Sequence, residues 1–521
     1  MPFLIEHIFE VVISIVIVVL LGTGSLVVAA IARRQRREKY FQRIDDLRQR
    51  YSPVIAAVLA EKLEYDRGLA VLKGISGLDR DYVLEQLCLE KKPTSEQVPI
   101  LRQLCEDLGL VKVWQQRLRS RVDTTSIRDC LARPGAVLEC LGRLHFLMRA
   151  KAADNLGRIQ HRASWPLLVK ALEDPHADVQ AVAVRSLAAI QEPDSFAPLV
   201  ERLHAVVLKP AATLSLRALK TALVSFPLRQ AVGLIPSLNH SHRRIRFLAT
   251  DIIREIVERQ GAWEEDFVMD SRIFSLDLID AFLTRLCFDE NPDVRARAAA
   301  VVSHLGDPRS TPVLLTLLED TQWFVRLHAV RALAKRKYLS QAPQVAQRLT
   351  DPHWMVREAA ARTLLVFGRV GSDHLAAHFL STEDRYSREQ IADEMQRAGL
   401  IPSLLAQYGS EAEGVEGRVI EQFAHMGKTS YLVSVLHHSS EHNLRKKFLE
   451  NFGRHPDPQI RAWVSHVATQ DPDEELRALA EATMRQAASR GDFRTYGRVA
   501  TSLLPRHEHV QRGDRVLLLS G

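Results

Sequence analysis

Beyond residue 130 apolar side chains return with a period of about 31 residues, most clearly at Val294, Val325 and Val356. The surrounding text repeats with them: CFDENPDVRARAA, LLEDTQWFVRLHA, RLTDPHWMVREAA. The same phase finds Met148, Val179, Leu214 and Ile245 upstream, then weaker copies at Ser387, Leu444 and Leu476. Counted from each anchor, small or apolar residues fall at +4, +8 and +11, as in Ala183, Leu187 and Ile190 or Ala360, Leu364 and Phe367. That spacing is one face of a helix. Seven residues before the anchor another apolar residue, such as Leu172, Cys287, Leu318 or Leu349, closes a preceding helix. Each unit is therefore predicted to be two helices. Asp174-Pro175, Asn291-Pro292 and Asp351-Pro352 mark the turn between them, because proline suits the first helical turn and Asp or Asn caps its open amides. One pair cannot bury its apolar face alone, so neighbours must stack.

The D-P-x-x-x-V-R-x-x-A pattern read in DPHWMVREAA, the paired helices and the period resemble HEAT repeats, particularly the short bacterial type related to phycobilisome-lyase repeats. The resemblance implies an all-α fold, a HEAT-type α-solenoid of paired antiparallel helices over residues 130–490. Three departures stand out. The step from Ile245 to Val294 is longer than the period and places an insertion near residues 255–285; Arg336 stands where +11 should be apolar; and copies after residue 400 lose the Val-Arg pair.

Ahead of the array, Val11 to Ala32 reads VVISIVIVVLLGTGSLVVAAIA without a charge. As a helix it is about 33 Å long against a hydrocarbon core of about 30 Å, so it is expected to span a membrane. Glu6 and Glu10 precede it, while Arg33, Arg34, Arg36, Arg37 and Lys39 come after it. Basic flanks stay cytoplasmic, which places residues 1–10 outside and the array inside, in a single-pass arrangement at the inner membrane. A cleaved signal peptide would need its charge in front of a shorter apolar stretch. Residues 33–64 read as a basic juxtamembrane helix with Ile44, Leu47, Tyr51, Val54 and Val58 on one face, interrupted at Pro53, suited to anionic head groups or a short coiled coil. Residues 65–129 supply a helical cap for the first unit, and the tail 491–521 leaves disorder and a short strand both open. The whole layout is similar to that of bacterial membrane-anchored HEAT repeat proteins.

The net charge of +7 narrows the partners once it is located. Residues 33–50 contribute +5 and residues 1–32 contribute −2, which leaves +4 for residues 51–521. A near-neutral bulk argues against nucleic acid, which calls for a concentrated basic face. Cys88, Cys105, Cys130, Cys140 and Cys287 form no CxxC pair and no framework, as expected in a reducing compartment. No nucleophile elbow, phosphate loop or dinucleotide fingerprint is present, and no cofactor or metal is expected. His438 and His442 are four apart but lack a third ligand at a matching offset, and His507-Glu508-His509 lacks the spacing of a zinc helix.

Two arginine sets remain. Arg149, Arg246, Arg295, Arg326, Arg357, Arg388, Arg445 and Arg477 each follow an anchor. The resemblance implies a structural ladder in which each reaches an Asp of an adjacent unit. Arg185, Arg331 and Arg362 lie six residues after their anchors, with His328 and Lys335 nearby. HEAT architecture would put them on second helices lining the concave side, as candidates for an acidic protein partner; a solvated helix face is the plainer and favoured reading. The expected function is a non-enzymatic, membrane-tethered scaffold for a membrane-associated protein. A bilin-lyase-like enzyme, suggested by fold analogy alone, and a nucleic-acid-binding HEAT-like protein are the alternatives.

Overall fold

The structure, a computed structural model, describes residues 2–76, 80–90, 92–119, 145–209, 214–261, 275–410 and 414–489. Every regular element among them is a helix. The chain divides into two compact units, Met1–Ile256 and Val257–Gly521.

The first unit opens with α1 (Pro2–Leu59), followed by α2 (Tyr65–Lys73), α3 (Arg80–Cys88), α4 (Gln97–Asp107) and α5 (Leu110–Arg119). Contrary to the expected interruption, α1 runs through Pro53. Pro53 and Gln49 are both exposed, so the carbonyl that loses its helical donor faces water rather than a dry core. Two residues of the predicted face are buried within the chain: Ile44 and Val58 are 6% and 2% exposed, beside Ile55 at 4%, and α1 packs against α3. Of the expected spanning segment, 11–32, the side chains up to Leu21 lie outside the described residues. Among the described residues no helix is long and apolar enough to cross a membrane.

Glu85 joins α3 to α5 and to the first repeat. Nearly buried, its carboxylate accepts from Trp114 Nε1 at 3.0 Å and Arg117 at 2.7 Å and meets Lys151 at 2.6 Å. Burial alone would raise its pKa, but hydrogen bonds from Lys151 and Trp114, with Arg117 behind them, hold it low. Paired helices continue with α6 (His145–Arg158), α7 (Trp165–Ala171), α8 (Ala177–Ile190), α9 (Phe196–Leu208), α10 (Leu216–Val224), α11 (Ile235–Leu238) and α12 (Arg243–Gly261), whose residues from Val257 on belong to the second unit, with α6 against α8 and α8 against α10. Met148 is 44% exposed and anchors nothing; the buried face of α6 is Ala152, Ala153 and Leu156, with Ile159 buried just past its end. The expected insertion near 255–285 coincides in part with a 19-residue α12, while residues 262–274, like Cys130, Cys140 and the tail 491–521, lie outside the described residues.

The second unit contains α13 (Leu276–Thr284), α14 (Pro292–Val302), α15 (Ser310–Leu318), α16 (Trp323–Lys335), α17 (Ala342–Gln347), α18 (Trp354–Val366), α19 (Arg369–Ser381) and α20 (Arg385–Arg397). It ends with α21 (Leu400–Ser410), α22 (Val415–His425), α23 (Thr429–His438), α24 (His442–Phe452), α25 (Pro458–Gln470) and α26 (Glu474–Ser489). The second helices α14, α16, α18 and α20 pack in succession. Their cores are the periodic residues: Val294, Val325 and Val356, with Ala298, Ala329, Ala360, Val302, Leu333 and Leu364, are all fully buried. Small side chains at +4 let the helices approach, and the branched residues at the anchor and +8 fill the space between.

Capping differs from the expectation at two of the three turns. Asn291 caps α14 by accepting from Asp293 N at 2.9 Å, with Pro292 in the first turn. At the other two, Asp174 and Asp351 accept from His176 N and His353 N, and the histidine rings cap the helix instead. The carboxylates there are engaged by arginines of the preceding unit, Arg149 and Arg326. A close approach fixes Gly371: a Cβ would lie 1.8 Å from the Leu364 carbonyl oxygen. After residue 400 the pattern fades because the anchor place in α22 falls on Val415, which opens the helix 42% exposed, while Val419 and Phe423 at +4 and +8 stay buried.

Candidate functional site

Of the two arginine sets, the ladder turns inward. Arg149 grips Asp174 at 2.7 and 2.9 Å, Arg295 grips Asp320 at 2.7 and 2.8 Å, and Arg326 grips Asp351 with two bonds of 2.7 Å. Arg445 pairs with Asp471. Arg295 and Arg326 also reach back to their own turns: Arg295 Nη1 donates to the Asp289 carbonyl and Arg326 Nη1 to the Asp320 carbonyl, both at 2.8 Å. Asp320 thus accepts Arg295 on its carboxylate and Arg326 on its backbone oxygen. Burial would push the Asp320 and Asp351 carboxyls up, but the guanidiniums outweigh it and hold both below the usual carboxylate value.

Other members keep only part of this geometry. Arg357 finds Thr382 where a carboxylate would stand and donates instead to Gln390 at 3.1 Å and to the Asp351 carbonyl at 2.9 Å. Arg246, Arg388 and Arg477 bond turn carbonyls, those of His240, Thr382 and Asp471. All eight arginines therefore hold the turns of this chain, which leaves the second set as the outward-facing candidates.

That second set does not form one groove. Arg185 lies on α8 in the first unit, exposed and with no ion pair or hydrogen bond among the described residues. The others lie in the second unit. Arg362 on α18 is exposed but neutralised, bonded to Glu394 at 3.0 Å and Glu358 at 2.5 Å, and Glu394 raises its pKa. His328, Arg331 and Lys335 share one face of α16, at i, i+3 and i+7; His328 is half-buried, Arg331 exposed and without an ion pair. Lys335, exposed overall, sets its ammonium on His304 Nε2 at 2.7 Å.

His304 was not legible as a candidate, because it falls at +10 after Val294, between the apolar offsets that recur along the chain. It is 2% exposed. Burial first, then the charges of Lys335 and Arg336, push its pKa down to about 4. Burial also lowers the pKa of Lys335, against the pull of Glu258. The cluster is thus a neutral imidazole holding an ammonium, with further cations beside it. The cationic groups of this cluster suit an oxyanion. Elsewhere, His438 bonds the Ser434 carbonyl, and His442 meets Asp473 and Glu475.

A family model described as HEAT repeats matches residues 136–219, 279–365 and 325–396. No curated protein matches the chain. Among solved structures, Kap95p in its complex with RanGDP is similar at 11% identity and a TM-score of 0.38, over 85% of this chain and 68% of that one. YibA of E. coli is similar at 17% identity and a TM-score of 0.27, over 57% of this chain and 98% of its own. Human deoxyhypusine hydroxylase is similar at 18% identity and a TM-score of 0.21, over 58% and 99%. Likenesses this distant say nothing of what the chain binds. Stacked helix pairs and buried periodic rows accompany the matched segments, so residues 136–219 and 279–396 are similar to HEAT repeats.

Proposed function

We propose that the chain is a non-catalytic scaffold, tethered to the cytoplasmic face of a membrane, whose repeats hold a protein partner. The observation that supports binding over catalysis is the division of labour among its charges. The ladder arginines are consumed by the turns, while Arg331 and Arg185 are held out to solvent without a counter-ion. Support for the tether comes from the sequence: the uncharged stretch 11–32 leads into a run of basic residues, the arrangement that retains the downstream chain on the cytoplasmic side.

Crosslinking in intact cells, with identification of proteins joined to the repeats, tests the scaffold. A reproducible protein neighbour is expected; its absence from repeated captures would overturn the reading. Alkaline carbonate extraction tests the tether, and release of the full chain into the soluble fraction would refute it.

A further inference from the structure

The repeat register sorts the outer faces of the second helices into rows. Six residues after the anchor stand Ala300, Arg331 and Arg362; ten residues after it stand His304, Lys335 and Val366. Because α14, α16 and α18 pack side by side, the first row crosses three neighbouring helices and the second runs along their C-terminal ends, where His304 lies buried just past α14. Positive charge peaks in the middle. Arg331 and Lys335 are i and i+4 on α16, a like-charge pair that weakens a helix rather than supporting it. Arg336 comes next in the chain, with its Nε buried and without a hydrogen bond. On one side Ala300 is small, and on the other Arg362 is already neutralised by Glu358 and Glu394.

The neighbours do not offset this charge. Lys335 rests on a neutral imidazole, and the charge of Glu258 offsets its own only in part. A carboxylate at 331 would have paired with Lys335 at i+4. One register step from Lys335, Val366 is 52% exposed, and Val370 beyond it is 44% exposed. A cationic step therefore adjoins an apolar one. An extended segment with carboxylates followed by an aliphatic side chain matches both; duplex nucleic acid would match only the charge.

On the reading of the chain as a scaffold, we propose that the α16 face formed by His328, Arg331 and Lys335 docks an acidic segment of its protein partner. The partner's carboxylates meet Arg331 and Lys335, drawing the ammonium from His304, and an adjoining aliphatic side chain covers Val366.

The test uses the full chain in detergent micelles and a short fluorescein-labelled peptide of glutamates interspersed with leucine, with anisotropy as the readout. Saturable binding is expected, weakening as salt rises. The double variant Arg331→Glu, Lys335→Glu should weaken it by at least about tenfold, Arg331→Gln with Lys335→Gln by less, and Arg185→Glu should leave it unchanged. An unchanged thermal transition in each variant keeps the comparison sound. Binding that ignores the double variant, an equal loss in Arg185→Glu, or tighter binding of duplex DNA or phosphatidylserine vesicles to the same residues would overturn the proposal. Crosslinking separates it from the scaffold reading. If the double variant still captures the wild-type partner in cells, this face is the wrong one and the scaffold stands; if the wild-type chain captures none, the scaffold itself falls.

Discussion

Arg326 and Asp351 are 25 residues apart, and the two bonds of 2.7 Å between them cross from one repeat to the turn of the next. The Asp351 side chain is fully buried and that of Arg326 is 11% exposed. Removing one partner of such a pair strands the other, at a cost of about 3 kcal/mol. Asp351→Ala should therefore lower stability by that order, read from urea unfolding of the second unit. The carboxyl is held below its unfolded value, so its contribution is complete above about pH 3.9 and is lost as pH falls through the folded value. Asp351→Asn should flatten that acid slope.

Val325 lies fully buried between α16 and its neighbours. Val325→Asp would place a charge there with no partner, and we expect a loss of roughly 4 kcal/mol. Thermal unfolding of the full chain measures it. An unchanged transition would mean that the periodic face of α16 is wrongly assigned.

Glu85 is the counter-ion shared by Arg117 and Lys151. Glu85→Gln keeps the shape but removes the charge, and should cost about 2 kcal/mol. Faster amide exchange confined to α3, α5 and α6, with the second unit unaffected, is the expected signature. Its depressed pKa puts the matching acid loss below the usual glutamate value.

His304 should remain neutral down to about pH 4. Its folded pKa lies below the unfolded value near 6.5, so the stability it supports is present above about 6.5 and is lost as pH falls towards 4. His304→Gln should be less sensitive than the wild type over that interval, measured as the change in thermal midpoint between pH 7 and pH 5.

Helix pairing was legible because burial imposes a period: Val294, Val325 and Val356 announce three helices without any structure. Pro53 was misread since sequence cannot tell that its lost hydrogen bond faces water. The repeat in α22 was hidden because its anchor, Val415, comes 28 residues after Ser387, short of the period, and is followed by Glu416 in place of arginine. The ladder's partners were half legible. Arginine after the anchor is a local pattern, but whether it meets Asp320, Thr382 or a carbonyl depends on what occupies the next turn. His304 and Lys335 lie 31 residues apart in sequence, and only the stacking of α14 on α16 brings them into contact.

The double use of Asp320 has a consequence for how such a chain changes length. Its carboxylate serves the unit before it and its carbonyl the unit that it opens, and Asp351 repeats the arrangement one unit on. Excising residues 321–351 would join Asp320 to Pro352, leave the Arg295 grip in place and offer Arg357 the same kind of carbonyl it already uses. Gene segments of one period can thus be lost or duplicated here without orphaning a charge at the seam.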